Sequence, residues 1–128
     1  MTEKSSPCPC GSGKSYDQCC EPCLSGEHPA TTAEALMRSR YTAYVVGDSK
    51  YLLATWHAST RPETLKLQES LKWQGLKIKS TTKGQQRDTS GTVEFVAVSK
   101  TDGRAHRLHE NSRFSYEDSQ WFYIDGGG

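Results

Sequence analysis

Cys8-Pro9-Cys10 and Cys19-Cys20 place four thiols inside thirteen positions, with eight residues between the pairs. Thiolates are soft donors, and four of them suit one tetrahedral ion: Zn(II) in a closed structural site, or an iron-sulfur centre. Zinc brings no redox chemistry and usually fills compact structural sites, so Zn2+ is the expected cofactor. The chain must fold back sharply after the first pair, and Gly11-Ser12-Gly13 supplies the permissive backbone. A disulfide framework fits less well. The five cysteines are an odd number, Cys19 and Cys20 are adjacent, and the first seven residues are polar with no apolar run after them. No secretory signal is therefore expected, and a reducing, cytoplasmic setting is. Cys23 stays open, either a spare thiol or a substitute for Cys20. Few apolar residues lie between Ser5 and Glu21, so metal affinity must supply the folding free energy of this knuckle. Gly11-Ser12-Gly13-Lys14 lacks the glycine spacing and preceding strand of a phosphate loop.

A second group of candidates emerges from the helix and strand patterns that must position it. Thr31-Thr32-Ala33-Glu34 reads as a capping box, with Thr31 as the cap, opening a helix that runs to about Val46. Turned by about 100° per residue, that helix gathers Ala33, Leu36, Met37, Tyr41, Tyr44 and Val45 on one half. Arg40 falls among them, and a buried guanidinium needs an acceptor. The region from Trp73 onward has a period of two. If no bulge intervenes, His106, Leu108, Glu110, Ser112 and Phe114 share the inward face of one strand. Glu110 is then the first acceptor for Arg40, and Asp125 the second. His57, after Trp56, is a candidate general base beside either carboxylate, or a favourable charge at a helix C-terminus. Tyr41, Tyr44, Trp56, Trp73, Trp121 and Tyr123 supply aromatic walls for a pocket with Arg40, His57, Glu110 and Asp125 as its polar groups. His106 and His109 point to opposite faces and cannot easily share a metal.

The remaining punctuation divides the chain. Ser25 to Pro29 is a joint; Gly47 caps the first helix; Asp48 or Ser49 opens a second through Trp56; Pro62 opens a short third over 63–69. Strands are expected over 73–83, 92–100, 104–116 and 120–125, with turns at Thr101-Asp102-Gly103 and Glu117-Asp118-Ser119. The expected fold class is α+β, helices on one face of an antiparallel meander. The expected division is a knuckle over 1–26, a domain over 27–125 and a fraying tail over 126–128. At 128 residues there is room for one such domain and a small appendage. With 16 basic and 15 acidic side chains the net charge is +1, which argues against nucleic acid or anionic membrane as partner, and no apolar run is long enough to span a bilayer.

Cys-Pro-Cys-Gly-Ser-Gly-Lys followed by Cys-Cys resembles the SEC-C zinc motif, whose pattern carried over here implies Cys8, Cys10, Cys19 and Cys20 as ligands. The helix-then-sheet order resembles the nuclear transport factor 2-like fold, a cone of sheet around a long first helix. Across nearly the whole length, Leu36-Met37-Arg38-Ser39-Arg40-Tyr41-x-Ala43-Tyr44, Thr55-Trp56-His57, Trp73-x-Gly75-Leu76, Glu110-x-Ser112-Arg113-Phe114 and Trp121-x-Tyr123-Ile124-Asp125-Gly126 are similar to the YchJ-like family of uncharacterised metal-binding proteins. That family often carries a second SEC-C copy at its C-terminus, and this sequence ends on glycines without one. The resemblance implies a protein partner and a non-enzymatic interaction role. The competing expectation is a small-molecule binder or enzyme working in the aromatic-lined cavity, and a further alternative is nucleic-acid or ribosome-associated binding.

Overall fold

The computed structural model describes residues 6–67, 71–85 and 87–126. Three helices, α1 (Glu21–Ser25), α2 (Ala33–Val46) and α3 (Ser49–Ala54), precede β1 (Lys72–Lys83), β2 (Ser90–Thr101), β3 (Arg104–Glu117) and β4 (Gln120–Asp125). The strands form one antiparallel sheet in the order β1-β2-β3-β4, the expected mixed helix-and-meander architecture. Alternation in β2 turns Val93, Phe95, Ala97 and Ser99 inward. There they meet Leu36, Met37 and Tyr41 of α2, with Phe114 and Trp121 closing the core. Asp102 and Gly103 both have positive φ, as do Asp118 and Ser119. Both tight hairpins therefore take the mirror-image turns that match strand twist, the second without a glycine.

Each boundary of α2 has a local cause. Thr32, not Thr31, is the N-cap: its hydroxyl accepts from the Ala35 amide at 3.0 Å, while Glu34 pairs with Arg38 one turn on. The cap is thus displaced by one residue and, with Ala35 three positions on, forms no capping box, while the Thr31 carbonyl accepts from the Trp121 indole at 3.2 Å. Gly47 ends the helix at φ 82°, and Asp48 caps α3 through the Tyr51 amide. At its start α2 is welded to the sheet, where the Ala33 amide donates to the Gly84 carbonyl at 2.9 Å. A Cβ on Gly84 would lie 2.8 Å from the Ala33 Cβ, and one on Gly91 2.5 Å from the Gly84 Cα. Only glycine fits either position.

Several expectations are corrected. No helix forms over 63–67; Leu65 and Leu67 are half-buried with Lys66 exposed between them, an alternation that extended chain satisfies. Residues 68 and 69 lie outside the described residues, as do 127 and 128 of the expected tail. The second helix stops at Ala54, because residues 55–57 leave it to lie along β4. The Tyr123 amide donates to the Thr55 carbonyl at 2.8 Å, and the His57 amide to the Tyr123 carbonyl at 2.7 Å. That strip of chain covers part of the outer edge of the sheet. β1 carries two register shifts, between Trp73 and Gly75 and between Ile78 and Ser80. Leu108, expected inward, is 41% exposed, because the first half of β3 runs out past the helix. Val45, on the expected apolar half of the wheel, is exposed too. Conversely Ser39, Thr42 and Ala43 are buried on the back of α2, and what covers them is α3 and the cysteine segment.

Candidate functional site

The cysteine segment builds its own cradle. Pro7 and Ser15 form a short antiparallel bridge, and the Cys8 amide donates to the Lys14 carbonyl at 2.9 Å. Gly11 and Gly13 turn the loop at φ 76° and 89°. One 3-10 turn, Tyr16–Gln18, then delivers Cys19 and Cys20, and Cys20 serves as N-cap of α1. The sequence signals for α1 were present in Glu21, Pro22 and Gly26, which suit the first turn and the left-handed cap of a short helix.

The Sγ atoms of Cys8, Cys10, Cys19 and Cys20 all lie within 4.8 Å of one another. Sulfurs at about 2.3 Å from a tetrahedral ion are about 3.8 Å apart. The Cys10–Cys19 and Cys19–Cys20 separations are 3.6 Å and 3.9 Å. The donor set therefore fits one metal ion. Cys23 is not part of the cluster. As thiols, Cys10, Cys19 and Cys20 compete for protons. Contacts with Cys20 and Cys8 drive Cys10 far below the ordinary thiol range, and the contacts with Cys10 and Cys8 drive Cys20 far above it. Burial lifts Cys19 to about 11. Four thiolates at this spacing repel one another, and a central cation removes that conflict. Such an ion would supply electrostatic cross-linking; the chain's own residues supply orientation.

That orientation comes from α2. Thr42, fully buried, donates its hydroxyl to Cys20 Sγ at 3.3 Å and sits 3.7 Å from Cys8 Sγ. Arg38 donates to the Cys10 carbonyl at 2.8 Å and holds Glu34 at 3.0 Å. Ser12 Oγ lies 3.1 Å from Cys19 Sγ. Hydrogen bonds of this kind fix ligand geometry and charge. Thr42 is a functional residue that wheel reasoning missed, since a threonine on the back of an amphipathic helix looks solvated. Cys8, Cys10 and Cys20 are 4%, 0% and 2% exposed and belong to the same buried cluster as Leu36, Phe95 and Trp121.

On the opposite side of α2 a cavity of about 210 Å3 opens against the sheet. Of the residues singled out from sequence, Arg40, Tyr41, Tyr44, Trp73, Glu110 and Tyr123 line it. The others are dispersed. Trp121 is buried in the core, beside a separate groove of about 530 Å3. Asp125 is bound by Arg113 in a two-pronged pair at 2.8 Å and 2.5 Å. His57 Nε2 donates to Glu117 at 2.8 Å, while Nδ1 accepts from the Ser59 amide at 3.1 Å. Neither Glu110 nor Asp125 meets His57 among the described residues.

Arg40 is also not met by a carboxylate among the described residues. Nη1 donates to the Leu52 carbonyl at 2.8 Å and to Thr55 Oγ1 at 2.7 Å, and the guanidinium lies over the rings of Tyr123 and Trp56, 4.4 Å and 5.0 Å from their centres. The last turn of α3 offers carbonyls without helical partners, and two aromatic faces supply negative electrostatic potential, so the cation is held without an acid. Burial nonetheless lowers the Arg40 pKa to about 10.

The geometry agrees with comparisons across whole chains. The model of the middle, nuclear transport factor 2-like domain of YchJ matches residues 32–126, and that of the SEC-C motif matches residues 5–22. A UPF0225 protein of Cupriavidus metallidurans is 54% identical over 94% of this chain and 87% of its own. One from Streptomyces coelicolor is 50% identical over 94% of both. The solution structure of a SEC-C motif containing protein from Rhodopseudomonas palustris superposes with a TM-score of 0.84 at 33% identity, covering 94% of this chain and 97% of that one. The crystal structure of a SEC-C motif containing protein from Psychrobacter arcticus gives 0.81 at 26%, covering 98% and 84%. With a SEC-C cysteine cluster seated on the back of the long helix of a YchJ-type domain, the chain belongs to the YchJ-like, UPF0225 family.

Proposed function

We propose that the protein is a zinc protein of the cytoplasm whose knuckle is structural, and that it works as a non-enzymatic protein-interaction module. The observation that carries this reading is the enclosure of the sulfur cluster. Four cysteines complete a tetrahedral set and three of them are almost fully buried, which leaves no open position for a reacting water. The acid-base groups support the same view. His57 and His109 are engaged with Glu117 and Glu94 at the surface, away from the cavity. The surface offered to a partner is the concavity where the knuckle meets α2. Lys14, Glu34 and Arg38 line it with both signs of charge, a lining suited to a polar segment of another protein. Metal analysis should find one zinc per chain, lost in the Cys19→Ser/Cys20→Ser double variant. Cross-linking through Lys14 should place a captured partner at this rim, and Lys14→Glu should weaken capture with zinc retained. Undiminished capture by Lys14→Glu overturns the docking assignment; a chain that folds and stays loaded without Cys19 and Cys20 overturns the metal assignment.

A further inference from the structure

The cavity between α2 and the sheet carries chemistry that the metal-centre reading does not use. Along β3 its wall grades from mouth to floor: Leu108 is 41% exposed, Glu110 half-buried and Ser112 1% exposed. The Ser112 hydroxyl has no hydrogen-bond partner among the described residues, the one buried side-chain polar atom there of which that is true. A hydroxyl sealed in an apolar wall without a partner is unfavourable, and such an atom commonly marks a place that a ligand or ordered water completes.

Two opposite charges line the same small space. Arg40, 3% exposed, spends Nη1 on α3, and no carboxylate lies within ion-pair distance of it among the described residues. Glu110 makes no ion pair or hydrogen bond there either; its carboxylate rests against Gly126, where even a Cβ would collide with it. Both line one cavity, and no ion pair joins them among the described residues. The rest of the lining is apolar and aromatic. Tyr41 and Tyr44 sit edge-on or tilted against Trp73, at centroid separations of 5.8 Å and 6.1 Å. A cavity of about 210 Å3 accepts a molecule of roughly amino-acid size.

We infer that this cavity binds a small zwitterion with an apolar body, an apolar α-amino acid, whose carboxylate meets Arg40, whose ammonium meets Glu110, and whose side chain lies among Tyr41, Tyr44 and Trp73. Ser112 gives the carboxylate a second donor. A simple anion would satisfy Arg40 and be repelled by Glu110; a simple amine would do the reverse. Discrimination by both charges is the signature of this site.

Calorimetric titration of the full-length, metal-loaded protein with phenylalanine, phenylacetate and phenethylamine separates the cases. Phenylalanine should bind saturably, and the two half-ligands at least about tenfold more weakly, each having lost one charge-assisted contact. Glu110→Gln should weaken phenylalanine by about tenfold while leaving phenylacetate unchanged or improved, and Ser112→Ala should weaken it about fivefold. Neither variant removes a hydrogen bond that holds the described fold, and an unchanged melting curve checks that. Phenylacetate or phenethylamine binding as well as phenylalanine overturns the inference. So does absence of saturation up to about 10 mM of any of the three, which would leave the cavity to water.

Discussion

The two sides of α2 solve opposite problems. On its back, Thr42 donates to a sulfur and Arg38 to a carbonyl, and four sulfurs gather at a spacing that suits one cation. On its front, Arg40 and Glu110 leave two unlike charges unjoined, with a buried hydroxyl unanswered. The first arrangement is that of a structural joint, in which every group serves to hold the chain. The second, on the inference drawn above, is that of a receptor, where satisfaction is deferred. One helix of fourteen residues supports both.

The sharpest way to break the contrast is to remove the metal. Because Cys8, Cys10 and Cys20 lie in the common core, chelation or Cys20→Ser should destabilise the whole chain by on the order of 5 kcal/mol or more, read as a shifted denaturant midpoint for sheet and knuckle together. A knuckle that melts alone would restore it to an appendage. Next, Arg40→Ala should cost about 3 kcal/mol, since it strips the Leu52 carbonyl and Thr55 of a donor and leaves a void beneath Trp56 and Tyr123. Thr42→Val keeps the volume but removes the bond to Cys20. It should lower stability by about 1 kcal/mol and weaken zinc by at least about tenfold in a competition titration. Ser112→Ala, the matching change on the front, should alter stability by no more than about 0.5 kcal/mol, because no bond is lost. Equal losses from Thr42→Val and Ser112→Ala would erase the distinction between joint and receptor.

The smallest effect lies away from both sides. Glu117 is held below its usual 4.5 by the Ser115 hydroxyl first and by His57 second. A depressed folded pKa contributes stability above 4.5 that fades as pH falls through the lowered value. Full exposure keeps that contribution slight. In a carboxyl titration by NMR, Ser115→Ala should return Glu117 toward 4.5 more than His57→Ala does.

The four strands and the Asp102-Gly103 turn were legible because period-two patterning and the Asp-Gly signal are local, and the second turn, which has no glycine, was placed by the strand patterns on either side of it. So was the metal cluster, since its spacing lies within thirteen residues. The environment of Arg40 was not. Its helix position announced a buried cation, but the partners turned out to be a helix-end carbonyl, a hydroxyl and two ring faces, none of which carries a charge in the sequence. Thr42 escaped for a related reason. A wheel assumes one buried face, and α2 has two because the knuckle packs on the second. The dispersal of His57 and Asp125 depends on long-range pairs with Glu117 and Arg113, which no spacing reveals.

The glycine weld has a practical corollary. Gly84 and Gly91 pinch the β1–β2 connection shut beneath Ala33, and the Gly84 amide donates to the Ser90 carbonyl across its neck at 3.1 Å. Outside that neck the Asp88 amide donates to the Gln85 carbonyl at 2.9 Å, and the Thr89 carbonyl accepts from the Tyr116 amide of β3 at 2.9 Å. Doubling the length of such a loop costs only about 0.6 kcal/mol. The tip is therefore the natural port for an inserted tag or reporter, with the metal joint and the cavity left undisturbed behind it.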